Sequence, residues 1–369
     1  MKDIRNLRKE INEIDLQMAS LFEKRMNVCK EIAVYKKENG LSVRDKVREE
    51  EVIKNNSRII ESPEIRPYYV EFIRNAIDIS CEYQSAIVRD MRVSYCGTEG
   101  AFAHVAAGKM FPSAEFIAYP DFRSAYSAVE KGECDCAVLP IENSYAGEVG
   151  TVTDLMFSGD LFINEIIDVP VEHCLMTLPG TKIEDIRKVI SHPQALAQCE
   201  RFIEECGFET QSYSNTALAA EFVSKNGDKT VAAIASEDTA AIFGLEIIKK
   251  PVNDNGNNTT RFASFSRTEN KPVSGAKRED ENFILVFTVQ NESGALAGAL
   301  NIIGAHGFNM RTLRSRPMKN LKWNYYFYIE AEGNVHTENG RDMMRELSAL
   351  CAKLKLVGSY FSDGTEDSL

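Results

Sequence analysis

Apolar residues recur with 3,4 spacing from the start of the chain, at Ile4, Leu7, Ile11, Ile14, Met18 and Leu21, and resume at Val28, Ile32 and Tyr35. A stripe of this period predicts one helix over residues 3–38, packed along its length against other helices. Neither Gly nor Pro interrupts it before Gly40, a natural stop. The seam position between Leu21 and Val28 is Arg25. A buried guanidinium needs an anion, or a stem long enough to carry its head to water. Arg8 and Lys36 sit one step round from the seam, ~42 Å apart along a straight axis, so one small ligand cannot touch both within one chain. An antiparallel second copy crossing near residues 19–20 would bring its Arg8 between Arg25 and Lys36. The pattern therefore suggests a dimeric bundle whose sites take cations from two chains. An ordinary coiled-coil pair with Arg25 reaching solvent is the alternative.

A second helix is expected over about 43–60, with Asp45, Arg48, Glu49 and Val52 on one face. A third is expected over about 67–87, with Pro67 early, where a helix tolerates it. Its inner stripe, Ile73, Ala76 and Ile77, continues as Ser80 and Gln84. Polar residues extending the apolar stripes predict a lined polar cavity.

Residues 88–90 form a junction, and from Arg92 the pattern changes to alternating strands and helices. Strands are predicted at 93–96, 116–119, 134–139, 161–177, 187–191, 209–213, 231–235 and 259–266. Helices are predicted at 121–131, 149–158, 193–206, 215–226 and 236–243. This is an α/β region in two lobes with a cleft between them. Polar motifs stand where strands end: Pro140-Ile141-Glu142-Asn143-Ser144, Ser191-His192-Pro193-Gln194 and Asn258-Thr259-Thr260-Arg261-Phe262. Ligands bind at strand ends in such folds, although each motif alone also suits a turn or a helix cap. Gly97-Thr98-Glu99-Gly100 lacks the lysine and the third glycine of phosphate loops, so it reads as a tight strand-to-helix turn.

A polar stretch with Pro272 and Gly275 reads as a linker over 268–281. Beyond it come a strand at 283–289, a helix at 294–304, strands at 308–316 and 323–331, a helix at 338–353 and a strand at 355–360. That βαββαβ order is ferredoxin-like. Residues 362–369 are a short acidic tail. The expected domains are thus 1–88 (all-α bundle), 91–267 (two-lobed α/β) and 282–361 (α+β).

The 369 residues suffice for this multidomain plan, and 44% hydrophobic and 27% charged residues suit a soluble globular protein. A net charge of −12 argues against nucleic-acid or anionic-membrane binding. No signal peptide or transmembrane-length apolar run is present. Nine cysteines without a CxxC pair point to a cytoplasmic location, and Cys134-Asp135-Cys136 reads as core packing. No metal-ligand spacing appears, and no cofactor is expected.

Arg8 after Leu7, Arg25 after Glu23-Lys24, Lys36, Asp45, Arg48-Glu49, Ser80 and Gln84 occur in an order that resembles the all-helical chorismate mutase family. The resemblance implies an intertwined dimer that rearranges chorismate to prephenate. Arg25 and Arg8 of the partner subunit would clamp carboxylates with help from Arg48. Lys36 and Gln84 would donate to the ether oxygen, Glu49 would hold the ring hydroxyl, and Asp45 and Ser80 would add polar contacts. The planar fork of arginine suits such a clamp.

The motifs at 141–144, 191–194 and 260–262, with Ala235-Ser236 and Phe243-Gly244-Leu245, resemble prephenate dehydratase, whose fold is like a two-lobed periplasmic binding protein. The implied reaction expels hydroxide and carbon dioxide from prephenate to give phenylpyruvate. Thr260 would act as general acid and Arg261 would anchor a carboxylate. Glu142 is the candidate to assist Thr260, and Asn143, Ser144 and Phe262 complete the expected substrate site. The family's glycine turn usually carries Ser before His; here Ala103 precedes His104, so that turn receives no catalytic role.

The last domain resembles the ACT regulatory domain. Gly294-Ala295-Leu296, Asn309 and Ser315-Arg316-Pro317 match its effector motifs, which implies L-phenylalanine as effector. Arg314 stands where that family usually has Glu. The three domains together resemble the bifunctional chorismate mutase–prephenate dehydratase family of phenylalanine biosynthesis, expected as a homodimer or larger homo-oligomer. A dehydratase preferring arogenate and a non-catalytic ACT-containing sensor are the alternatives.

Overall fold

Asp3 and Gly40 bound the first helix. The Asp3 side chain accepts the Arg5 amide, Gly40 turns the chain at φ 67°, and α1 (Ile4–Asn39) runs unbroken between them. Asp45 caps α2 (Lys46–Ser57) by accepting the Arg48 amide at 2.9 Å. Then α3 (Arg66–Val88) packs along α1 and against α2. The structure, a computed structural model, describes residues 3–88, 91–270, 281–318 and 323–361. It forms two compact units: Met1–Met91 with Ser113–Glu115, and Arg92–Pro112 with Phe116–Leu369.

On α1 the buried positions are Cys29 and Ala33, and on α3 they are Ile77, Ser80, Cys81, Gln84 and Val88. The apolar stripe of α1, predicted to pack along its whole length, is exposed within one chain: Ile4 58%, Ile11 56%, Leu21 64% and Tyr35 54%. The reason is length. With 36 residues α1 spans ~54 Å and α3 with 23 residues ~35 Å, so α3 cannot cover it all. The row that α3 does cover runs through Arg25, Cys29, Ala33 and Lys36.

The second unit begins with a sheet-forming run: β1 (Arg92–Cys96), α4 (Phe102–Met110), β2 (Glu115–Tyr119), α5 (Phe122–Glu130), β3 (Cys136–Asn143), β4 (Gly147–Glu148), α6 (Gly150–Ser158) and β5 (Phe162–Pro170). The chain then enters a second lobe through β6 (Cys174–Thr177), β7 (Lys188–Ser191), α7 (Pro193–Ala197), α8 (Glu200–Cys206), β8 (Glu209–Ser212), α9 (Thr216–Asn226), β9 (Val231–Ala235), α10 (Glu237–Phe243) and β10 (Glu246–Lys249). It returns to the first lobe as β11 (Thr259–Ser266), antiparallel between β3 and β5. The second sheet has the order β10-β6-β9-β7-β8.

The single strand expected over 161–177 is therefore two strands in two sheets. The apolar pattern continues across the break because both sheets are buried, and a period cannot register a change of sheet. The two lobe crossings are tied together: the His173 amide donates to Asn253 Oδ1 at 2.6 Å, and Asn253 Nδ2 donates to Val171 O at 2.8 Å. The single helix expected over 193–206 is likewise two, α7 and α8, meeting at Gln198–Cys199.

The remaining elements are β12 (Glu281–Thr288), α11 (Ala295–Ala305), β13 (Met310–Pro317), β14 (Tyr325–Glu332), α12 (Glu338–Leu350) and β15 (Lys353–Phe361). Their strand order β13-β14-β12-β15, antiparallel throughout, is a ferredoxin-like sheet. Phe283, Leu285 and Phe287 pack on Ala299, Ile303, Met343 and Leu347 of the two helices. At its edge, Gly358 of β15 pairs with Ile163 of β5, joining this sheet to the first lobe. A Cβ at 358 would lie 1.9 Å from Ile163 O, so only glycine permits the approach. The linker expected over 268–281 has Asn270 bonded to Asn164 at 2.6 Å, and Glu281 already belongs to β12. Residues 271–280, the tail at 362–369 and positions 89–90 of the junction lie outside the described residues.

Candidate functional site

Arg25 occupies the inward row of α1. Its guanidinium donates to Ala76 O at 2.9 Å and to Ser80 Oγ on α3, and Ser80 Oγ itself donates to Ala76 O at 2.8 Å. Both partners are neutral, so the charge of Arg25 is left for a ligand. Lys36 donates to Val43 O just beyond the helix end. Gln84 is 6% exposed, and its Oε1 has no partner among the described residues. Glu49 takes Arg44 on one oxygen at 3.2 Å and the Cys81 thiol on the other at 3.7 Å. Burial, then the Glu49 carboxylate, push the Cys81 pKa up.

Arg25, Lys36, Glu49, Ser80 and Gln84 are thus carried on three helices of one chain. Three other predicted residues stand apart. Asp45 spends its side chain as the α2 cap, and exposed Arg48 pairs with Glu51 at 3.2 Å. Arg8 is exposed on the far half of α1, ~25 Å from Arg25 along the axis. Arg44 carries an unforeseen role: it pairs with Glu49 and, at 2.5 Å, with Asp78, whose hydrogen bond raises the guanidinium pKa. An arginine one residue before a helix cap carries no periodic signal, which is why the pattern passes over it.

In the α/β unit, Thr260 lies at the start of β11, where the chain returns from the second lobe, and is 9% exposed. Its neighbour on β3 is Asn143. Asn143 Oδ1 accepts the amides of Tyr145 (3.0 Å) and Ala146 (2.8 Å), which orients the side-chain amide. Its Nδ2 therefore faces Thr260 Oγ1 at 2.9 Å and Asn258 Oδ1 at 2.8 Å. The Thr260 oxygen accepts this bond, and its own O–H has no acceptor among the described residues. Asn258 Nδ2 is buried and likewise unpaired. Ser144 Oγ donates to Asn257 O (3.0 Å) and accepts the Thr259 amide (2.9 Å), pinning the return loop.

Glu142, predicted to assist Thr260, and Arg261, predicted to anchor a carboxylate, are directed elsewhere. Glu142 pairs with Arg314 and, at 3.5 Å, with Arg261. Arg261 is not free to anchor a carboxylate: Glu330 takes it bidentately at 3.0 and 2.7 Å. Burial works against its charge, but Glu330 outweighs burial and raises the guanidinium pKa. The physical reason is strand alternation, which turns 142 and 261 to the face opposite 143 and 260. Phe262 is a core side chain, 2% exposed. The glycine turn serves as a lobe joint: Gly100 O accepts Ser236 Oγ at 3.2 Å and Thr239 Oγ1 at 2.9 Å. His192 caps α7 by accepting the Gln194 amide.

Of the expected effector residues, Gly294 opens α11 with φ +85°, followed by the half-buried Ala295 and Leu296. Asn309 donates to Glu332 at 3.0 Å, and Ser315 and Pro317 are exposed. Arg316 is committed to the first lobe, pairing with Glu148 and, at 3.0 Å, with Asp154. Among the described residues no group of three His, Cys, Asp or Glu could hold a metal ion, and no helix is long and apolar enough to cross a membrane.

The chorismate mutase type II family model matches residues 7–85, and the prephenate dehydratase model matches 93–270. A "Bifunctional chorismate mutase/prephenate dehydratase" of Aquifex aeolicus is 30% identical over 98% of both chains. The chain belongs to the bifunctional chorismate mutase/prephenate dehydratase family. It is an enzyme with one domain for each reaction of that name. An "Arogenate dehydratase/prephenate dehydratase 2" of Arabidopsis thaliana is 34% identical over 74% of each chain. Among solved structures, the prephenate dehydratase of Arthrobacter aurescens in complex with L-Phe has TM-score 0.68 and 26% identity, covering 76% of this chain and 92% of its own. A structure titled as a quorum quenching acylase, GqqA, has TM-score 0.67 and 31% identity, covering 74% of this chain and 98% of its own.

Proposed function

We propose that the chain converts chorismate to prephenate on the helical unit and prephenate to phenylpyruvate on the α/β unit, under feedback by L-phenylalanine. In the first reaction nothing is added or removed. Catalysis comes from holding the compact conformer and stabilising charge on the breaking ether oxygen. Arg25 and Arg8 of the partner subunit clamp the two carboxylates, with Arg48 assisting. Lys36 and Gln84 serve the ether oxygen, and Glu49 holds the ring hydroxyl, with Asp45 and Ser80 nearby. The exposed stripe of α1 supports a partner copy, because Arg8 cannot reach Arg25 within one helix.

In the second reaction the ring-to-carboxylate bond breaks, carbon dioxide leaves, and its electron pair moves into the ring and expels the hydroxyl as the ring becomes aromatic. Thr260 gives its proton to that hydroxyl, which leaves as water. An unaided threonine is a weak acid. The hydrogen bond that Asn143 donates to Thr260 Oγ, at 2.9 Å, stabilises the oxygen as it loses the proton and leaves the O–H for substrate. This is the observation that carries the reading. Asn258 Nδ2 is a further donor for a substrate oxygen.

The domains are taken as 1–88, 91–267 and 282–361, the last being an ACT domain, with the chain working in the cytoplasm as a homodimer or larger assembly. The L-Phe complex of the Arthrobacter enzyme supports phenylalanine as effector. The arogenate name of the Arabidopsis relative favours testing both substrates. Thr260→Ala should lower phenylpyruvate formation at least ~100-fold, the usual weight of a general acid, while chorismate consumption continues. A near-normal dehydratase rate in this variant overturns the assignment, and faster turnover of arogenate than of prephenate in the wild type would replace the substrate.

A further inference from the structure

Thr260 faces Asn143 across the strands, and the next pair along is Arg261 facing Glu142. Successive side chains on a strand point to opposite faces. The Asn143–Thr260 hydrogen bond therefore occupies one face of β3 and β11, and the Arg261–Glu142 pair occupies the other. The ferredoxin-like domain grips that second face. Glu330 on β14 receives both arms of the Arg261 guanidinium, at 3.0 and 2.7 Å. The Tyr360 hydroxyl on β15 accepts Arg261 at 2.9 Å and donates to Glu330. Arg314 on β13 closes the other end by pairing with Glu142.

Glu330 is 3% exposed, and the side chains of Arg261, Glu142 and Arg314 are 24–26% exposed. Glu142 and Glu330 face Arg261 and Arg314, and the more exposed Asp168 adds a third carboxylate 3.9 Å from Arg261. Removing Arg314 leaves Glu142 only its 3.5 Å contact to Arg261, and removing the Glu330 charge leaves Arg261 only the carboxylates of Glu142 at 3.5 Å and Asp168 at 3.9 Å; either change weakens a partly desolvated pair and loosens the strand that carries it. Each strand takes the strain one residue from the reacting pair.

We propose that Arg314 and Glu330 are positioning residues for dehydration: from the ferredoxin-like domain they hold β3 and β11 in the register that keeps Asn143 donating to Thr260. The proposal rests on the reading of Thr260 as proton donor. It deepens that reading, because the groups that set acid geometry belong to a domain that meets these strands at Arg261 and Glu142, on the face opposite the reacting pair. A shift of about 1 Å between acid and substrate is enough to cost ~100-fold.

The test uses the full chain, with chorismate consumption as an internal control from a unit to which neither residue belongs. Arg314→Met and Glu330→Gln should lower dehydratase kcat ~10- to 100-fold with KM within about threefold of wild type. Arg314→Lys, which keeps the charge but not the planar fork over the Tyr328 ring, should fall between Arg314→Met and wild type in kcat. Unchanged kcat in both Arg314→Met and Glu330→Gln overturns the proposal. So does a raised KM at unchanged kcat, which would make Glu142 or Arg261 a substrate contact. If both variants lose the folded α/β unit by circular dichroism, the ion pairs are stability elements and the proposal also fails. Thr260→Ala is assayed alongside: if it stays active, the reading of the acid fails. If it is inactive while Arg314→Met and Glu330→Gln keep wild-type kcat, only the positioning role fails.

Discussion

On α1 the apolar stripe from Ile4 to Tyr35 stays exposed, 39% at Leu7 and 64% at Leu21, whereas all eight residues of β12 are buried. Both segments are strongly apolar, and both patterns state a demand for cover. The chain supplies it to β12 from α11, α12 and the neighbouring strands, whereas among the described residues the long helix beside α1 is the shorter α3, which leaves most of the stripe uncovered. The two proposed sites differ in the same way. Thr260, Asn143 and Asn258 meet within one chain, whereas Arg25 and Arg8 are ~25 Å apart on one helix. A hydrophobic pattern thus tells how much surface must be covered, and not whether the cover is intramolecular.

The strongest way to break this contrast is to charge the stripe. Ile14→Glu with Leu21→Glu should shift the protein to a smaller species in sedimentation and lower mutase turnover by ~100-fold or more, since each desolvated carboxylate costs more than the contact returns. Dehydratase turnover should stay within about twofold, and equal loss of both activities would show that the α/β unit also depends on association.

Mixing experiments sharpen the contrast. Arg8→Ala and Arg25→Ala chains should each lack mutase activity, and equal mixtures should recover roughly a quarter of wild-type sites, because half the dimers are hybrids with one intact site each. Mixed Thr260→Ala and Asn143→Ala chains should recover no dehydratase activity, their site being built from one chain. Recovery in the second mixture, or none in the first, would reverse the assignment of shared and unshared sites.

A core substitution on the self-covered side comes next. Phe287→Ala on β12, fully buried, should destabilise the α/β unit by about 3–5 kcal/mol in urea titrations. The helical unit should melt as before, and a common shift would show that the two fold as one.

The smallest effect is electrostatic. Lys355 donates to the carbonyls of Met156 (3.0 Å), Gly159 and Leu161, and burial lowers its pKa to about 8 from 10.5. Between those values the unfolded chain holds the extra proton, so stability must rise with pH there; below pH 8 the cost of the ammonium is present in full. The urea midpoint of the wild type relative to Lys355→Met should therefore increase from pH 8 towards pH 10, and a flat difference would place the ammonium in a better-solvated setting than its burial indicates.

Much of the fold is legible in local patterns. The expected helix at 3–38 forms over Ile4–Asn39, the expected strand at 259–266 forms over those residues, and the βαββαβ order reappears in β12 to β15. Caps and periods decide such elements over a few residues, so a single chain carries the information. The break within 161–177 was not legible, because one apolar run serves two buried sheets. Nor was the choice between Glu142 and Asn143 as the companion of Thr260. Alternation says that they face opposite ways, but only cross-strand register says which of them meets position 260.

The amino-acid order by itself determined a long helix with a cation in its seam, an α/β region with polar strand ends and a closing ferredoxin-like domain, since these follow from period, caps and turn residues. Tertiary structure alone decided that Arg261 and Arg314 answer Glu330 and Glu142, and that Asn143 holds Thr260. Charges find partners through space, at separations of 69 and 172 residues here, and no local pattern encodes which opposite charge arrives.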